Sequence, residues 1–217
     1  IVPFGAGEDL AEALQPAVLE VKGIKVAFVG NNDVATSCCF AGDDSLGHVQ
    51  FGHDDPEYTL LRDQIAAAKK EADIVIVMSS LGWPSEYQDW ALPQTIAAAR
   101  AMVEAGATAV LGGQPHWVGG VEAGDGTYIA YAMGNFIQDQ MGRAVGFAND
   151  KTRQGTIHRL YFEGTRLVAV RILPTWLENW HQLRFSSPGS SRRRRSRSPR
   201  ASDGRSRSGS SANSLVG

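Results

Sequence analysis

Apolar positions along this chain come in short runs separated by polar, glycine-containing stretches. Residues 24–30 (IKVAFVG) form a compact apolar run closed by Gly30 and the turn-prone Asn31-Asn32-Asp33, which predicts a buried strand. Residues 58–71 place Leu61, Ile65 and Ala68 on one face at helical spacing, which predicts an amphipathic helix. Residues 74–78 (IVIVM) are a β-branched run suited to the middle of a parallel sheet. Helical spacing returns over residues 92–104 through Ile96, Ala99, Arg100 and Val103 and stops at Gly106; residues 109–111 are the next strand. Strand, helix, strand, helix, strand at these intervals predicts a right-handed α/β wind.

After Gly112 the texture changes. Residues 118–122, the Gly124-Asp125-Gly126 turn and residues 128–133 predict an antiparallel hairpin. Residues 155–162, the Glu163-Gly164 turn and residues 166–173 predict a second, with Ile157, Leu160 and Phe162 as its apolar positions. Parallel units followed by hairpins imply two sheets rather than a single doubly wound one. There is no internal repeat.

Length and composition add bounds. A chain of 217 residues with 43% hydrophobic content can bury one core, with room for an appendage. No apolar run approaches the ~18 residues of a membrane helix. The chain opens at Ile1 without the charged-then-apolar layout of a signal peptide, so we expect a fragment, with any export signal or membrane anchor upstream. Cys38 and Cys39 are adjacent, a spacing that bridges only with strain and matches no zinc motif, so two unbridged residues are expected.

The formal net charge of −2 conceals a split. Residues 186–217 hold eight Arg against the single acid Asp203, giving +7, while the remainder holds thirteen basic and twenty-two acidic residues, giving −9. The tail has almost no large apolar residue, cannot offset its ordering entropy, and is expected to be disordered.

Function in α/β folds gathers beyond the carboxyl ends of strands. Three such loops hold unusual residues: 79–90 (SSLGWPSEYQDW), 112–120 (GGQPHWVGG) and 134–140 (GNFIQDQ). All three should lie along one edge.

The phrases Glu86-Tyr87, Ala105-Gly106-Ala107-Thr108, Pro115-His116 and Gly134-Asn135-Phe136, in that order, resemble those of the bacterial CapA family of capsule and poly-γ-glutamate synthesis proteins. Gly5-Ala6-Gly7 followed by Ala11 and Pro16 resembles the family's entry into its second half. The likeness runs from about residue 1 to 185, which marks a CapA-like domain, C-terminal part, and leaves 186–217 as the tail. The family resembles calcineurin-like metallophosphatases. This implies a layered α/β fold with two β-sheets flanked by helices, the N-terminal half missing from this chain. It also implies two divalent metal ions that polarise a phosphoryl oxygen and acidify a bridging water.

On that resemblance His116 and Glu86 are the candidate catalytic residues, with His116 also a metal ligand. Asn135, Tyr87, Gln114 and Trp117 would line the substrate site. The sequence departs from the family in two places. Gln114 stands where the pattern has the first His of a His-x-His pair, and Ser79-Ser80 stand near where it has another. The bland alternatives are a lone loop His at 116, a solvated acid at Glu86 and a turn residue at Asn135. His48, His53, Asp54 and Asp55 cluster in sequence without paired ligand spacing.

The expected function is capsule or poly-γ-glutamate biosynthesis through a phosphoesterase-type cleft, which Gln114 and Ser79-Ser80 leave short of its full catalytic set. The alternative is a non-enzymatic envelope scaffold that binds an anionic polymer or sugar. Implied partners are an anionic polymer or phosphoester and other capsule-synthesis proteins. The implied place is the extracytoplasmic face of the plasma membrane, held there only through an upstream anchor. The Arg/Ser tail imitates nucleic-acid-binding segments, but the acidic body gives that role no support. We read the tail as an out-of-frame translation beginning near Ser186.

Overall fold

A computed structural model describes residues 1–34, 39–51, 55, 57–82, 84, 86–138, 150–179 and 182–186. The tail beyond Ser186, together with His53, Asp54, Trp83 and Cys38, lies outside the described residues.

The central element is a six-stranded sheet in the order β2-β3-β5-β6-β8-β7. Its parallel heart is β3 (Ile24–Asn32), β5 (Ile74–Ser80), β6 (Ala109–Gly112) and β8 (Thr127–Ala130). The antiparallel edges are β2 (Ala17–Val21) and β7 (Val121–Gly124). Two helices form the crossovers, α2 (Thr59–Glu71) after β3 and α3 (Pro93–Glu104) after β5. Pro93 opens α3, where its missing N–H is no loss. Asp55 caps α2 by accepting the Thr59 N–H at 2.5 Å and the Glu57 N–H at 3.2 Å. That role is what the structure gives this member of the 48–55 cluster, whose His53 and Asp54 lie outside the described residues.

Period-two alternation decides which side of each strand meets the helices. Val29, Val75, Val77 and Val110 are buried with Leu61 and Ile65 of α2 and Ala98 and Met102 of α3. The opposite face, through Ala109, Tyr128 and Ala130, packs with Leu167 and the half-buried Leu160, Phe162 and Val170. Those residues belong to a second sheet, β11-β10-β9, built from β9 (Gln154–Glu163), β10 (Arg166–Asn179) and β11 (Gln182–Phe185). The layers are therefore helices, a six-stranded sheet, and a three-stranded sheet. The remaining short elements are β1 (Ala6–Gly7), which pairs with β4 (Gly47–His48), and α1 (Leu10–Ala13).

The α/β class, both crossover helices and the two sheets match the expectation from sequence. The partition of strands does not. The first hairpin completes the main sheet, with β8 running parallel to β6, and only the second hairpin builds the other layer. Hairpin texture fixes local pairing but not which sheet receives it. Cys39, with a positive φ of 71°, is disulfide-bonded, contrary to the reading of an unbridged pair. Among the described residues no helix is long and apolar enough to cross a membrane.

One polar chain ties the two sheets together. Thr156 Oγ1 donates to the Met133 carbonyl at 3.1 Å, so it accepts from His158 Nε2–H at 2.9 Å. His158 Nδ1 then accepts from the Tyr128 hydroxyl at 2.9 Å. Burial lowers the His158 pKa from its ordinary 6.5 and pushes that of Tyr128 up to about 12. A histidine with a lowered folded-state pKa binds fewer protons folded than unfolded. Its contribution to stability is complete above the unfolded value and declines as pH falls through it. We expect the melting temperature to drop as pH is lowered below about 6.5, and His158→Gln to flatten that part of the profile. An unchanged acid slope in the variant, followed by circular dichroism, would refute the assignment.

Candidate functional site

Because β3, β5, β6 and β8 run parallel, the loops leaving their carboxyl ends emerge on one edge of the sheet. Backbone hydrogen bonds then stitch these loops together. Gly113 N–H donates to Ser79 O at 2.9 Å, Met133 N–H to Gly112 O at 3.1 Å, and Asp33 N–H to Ser80 O at 3.0 Å. Gly112 permits the crowding at this edge, since a Cβ there would lie 2.4 Å from the Tyr131 carbonyl oxygen.

Within this frame the expected residues meet. His116 Nδ1 lies 2.9 Å from Asn135 Oδ1, while Asn135 Nδ2 donates to the Thr152 carbonyl at 2.8 Å. A carbonyl can only accept, so the Asn135 amide nitrogen must face Thr152 and its oxygen must face the imidazole. His116 Nδ1–H is therefore the donor to Asn135 Oδ1. Tyr87 stacks on the His116 ring at 5.2 Å between centroids and meets Trp117 edge-on at 6.4 Å. The His116 N–H donates to the Glu86 carbonyl oxygen at 2.7 Å.

Glu86 thus reaches His116 through its main chain. Its carboxylate acts instead on Tyr87, whose pKa is raised by burial and secondarily by the Glu86 charge. Gln114 belongs to the same loop, beside Gly82, and its Oε1 is buried with no hydrogen bond among the described residues. Trp117 carries the Lys151 ammonium 4.2 Å from its ring centroid, and Lys151 also pairs with Asp89.

Several contributors are not evident from sequence. Lys151 and Thr152 sit in a short 3-10 helix, Lys151–Arg153, far along the chain and without a motif. Asn31 and Asp33 have the character of a turn, yet both are buried at the end of β3. Asn31 Oδ1 accepts from Ser79 Oγ at 2.5 Å, and Asp33 Oδ2 accepts from Gly82 N–H at 2.6 Å. Asn32 Nδ2 lies 3.0 Å from His48 Nε2. The available signal was position: a polar triplet closing a buried parallel strand is where sites form.

The described residues do not by themselves furnish a two-metal centre. Among the described residues no three His, Cys, Asp or Glu gather closely enough to hold an ion. His116 offers a single nitrogen ligand, and Gln114 offers an amide where an imidazole was expected.

Residues 1–140 match the family model described as bacterial capsule synthesis protein PGA_cap. The chain belongs to this family. The CapA resemblance carried by Glu86-Tyr87, Pro115-His116 and Gly134-Asn135-Phe136 agrees with that membership. The PGA biosynthesis protein CapA of Bacillus subtilis (strain 168) is 36% identical over 137 residues, covering 63% of this chain and 34% of that protein. The capsule biosynthesis protein CapA of Bacillus anthracis is 29% identical over 168 residues, covering 76% of this chain and 38% of that protein. This PGA_cap chain therefore spans somewhat over a third of the length of these relatives. A hypothetical protein from Thermus thermophilus aligns at a TM-score of 0.43 and 22% identity over 73% of this chain and 60% of that one.

Two outcomes test the PGA_cap site geometry. In Asn135→Leu the imidazole loses its acceptor, and long-range nitrogen–proton NMR should show His116 moving from the Nδ1–H form toward a tautomer mixture; an unaltered ring would show that Asn135 does not set it. Gly134→Ala places a Cβ 2.5 Å from the Gln154 carbonyl oxygen at a φ of 69°. Chemical denaturation should register a loss of about 1–3 kcal/mol or more. A neutral result would mean the Gly134 turn is not what positions Asn135.

Proposed function

We propose that the chain acts in the synthesis or export of an anionic surface polymer at the bacterial cell envelope, on the extracytoplasmic side. The His116 cleft is where polymer or phosphoester is engaged. Family membership supports the biological setting, and the relatives' names supply the poly-γ-glutamate and capsule context. The observation that carries the chemical part is the fixed Nδ1–H of His116. An imidazole whose Nδ1–H is committed to Asn135 leaves Nε2 as the ring atom that exchanges protons with substrate, the role general base catalysis requires. Tyr87 and Trp117 provide a flat wall, and the Lys151 ammonium over Trp117 brings positive charge to its margin. The proposal rests on the imidazole, since a metal-ligand set is not among the described residues. Other capsule-synthesis proteins are the natural partners for such a role.

A second reading has its own observation. The buried, unbonded Oε1 of Gln114 marks a site without the second imidazole of the family pattern. That favours a scaffold which binds polymer and turns nothing over.

Assaying the full chain against a chromogenic phosphodiester, alongside binding of polyglutamate, separates the two. For catalysis we expect measurable turnover that His116→Ala lowers by at least about a hundredfold, with the fold retained by circular dichroism. No turnover in either protein, with polymer binding intact, would leave the scaffold. Turnover indifferent to His116→Ala would sink the catalytic assignment of this cleft.

A further inference from the structure

The outer face of the three-stranded sheet, away from the layer that packs on the main sheet, carries a feature that folding does not require. Arg159 of β9 and Arg171 of β10 are direct partners in the antiparallel register, so their side chains leave the same face of the sheet side by side. Like charges placed opposite each other destabilise a sheet. Both side chains are exposed, and among the described residues neither makes an ion pair or a hydrogen bond. The acids Glu163 of β9 and Glu178 of β10 pair with Arg166 and Arg184. This happens on a body of net charge −9, the two arginines included, where carboxylates for pairing are plentiful.

The same two arginines flank a surface groove of about 340 Å³ completed by Leu173, Pro174, Phe185 and Ser186. Phe185 is 70% exposed. A register pair fixes Phe185 opposite Thr175, on the same face as Arg171 and Leu173. The groove thus has an apolar floor and edge with two uncommitted guanidinium groups beside it. Guanidinium forks bind carboxylates through paired, charge-assisted hydrogen bonds, and their alkyl stems add apolar contact.

We infer that the Arg159–Arg171 groove on the outer face of β9-β10-β11 is a binding site for a carboxylate polymer, whose methylene segments lie over Leu173 and Phe185 while its carboxylates meet the arginine pair. The apolar floor selects this class over polyphosphate, which has no methylene groups to cover it. The groove uses none of the residues of the His116 cleft, so it stands or falls independently of the cleft's chemistry.

The test uses the full chain with the eight arginines after Ser186 changed to serine, so that the basic tail cannot capture polyanions by itself. A long polyglutamate is titrated by calorimetry at low salt. Arg159→Gln/Arg171→Gln should weaken binding by at least about tenfold, whereas the control Arg62→Gln/Arg166→Gln, which removes two paired exposed arginines, should weaken it less than about twofold. Relief of the like-charge contact should leave the melting temperature of the first variant unchanged or raised by about 1–3 °C. Absence of polyglutamate binding, equal losses in both variants, or a melting temperature lowered in the first would each overturn the site. Tighter binding of polyphosphate through the same two arginines would overturn the carboxylate assignment.

Discussion

The constraint on which this structure depends is the shared direction of β3, β5, β6 and β8. Four parallel strands in adjacent register put their carboxyl ends at one edge. Each outgoing loop must also satisfy backbone groups next to its neighbours. The bonds from Gly113 to Ser79, from Met133 to Gly112 and from Asp33 to Ser80 are that satisfaction. They draw residues distant in sequence together before any side chain contributes. A polar triplet, an aromatic-histidine loop and a Gly-Asn turn become neighbours because the sheet leaves them no other place.

Much of this was legible from the chain. Runs such as IVIVM and the spacing of Leu61, Ile65 and Ala68 mark strand and helix because burial on both faces or on one face leaves different periods. The loop residues Glu86, Tyr87, His116, Trp117 and Asn135 were identified by ordered phrases, and the structure brings them together. Their individual contacts were not legible. Glu86 meets His116 through its carbonyl, a contact that any residue could make and that its identity does not announce. Lys151 and Thr152 reach the site from the short helix that leads into β9, and no local pattern announces a contact between residues so far apart. The main-sheet placement of β7 and β8 escaped for a related reason: a hairpin turn specifies its own pairing and is silent on the third strand.

The departures at Gln114 and Ser79 take on a structural meaning once the packing is known. Ser79 is 3% exposed and hydrogen-bonded to Asn31, so a bulkier imidazole there would have to displace a buried polar pair joining β3 to β5. Gln114 packs beside Gly82, its Oε1 buried at van der Waals distance from where a Cβ at that glycine would lie. These positions are integrated into the strand-end packing of this chain. In the loop after β6, His116 is the one imidazole among the described residues, and Asn135 and Tyr87 fix its place.

What holds the ring is the second sheet. Asn135 is anchored by the Thr152 carbonyl, Gly134 bridges to Gly155, and Thr156 N–H donates to the Met133 carbonyl at 2.8 Å. The polar chain from Tyr128 through His158 to Thr156 ends on that same carbonyl, two residues from Asn135. Protonating His158 would oblige the Tyr128 hydroxyl to stop donating to Nδ1, loosening the contact that seats β9 beneath the Gly134 turn. The packing of the two sheets and the placement of Asn135 thus meet in the Met133–Asn135 turn, which receives Gly155 and Thr156 of β9. A site built this way is only as ordered as the interface below it.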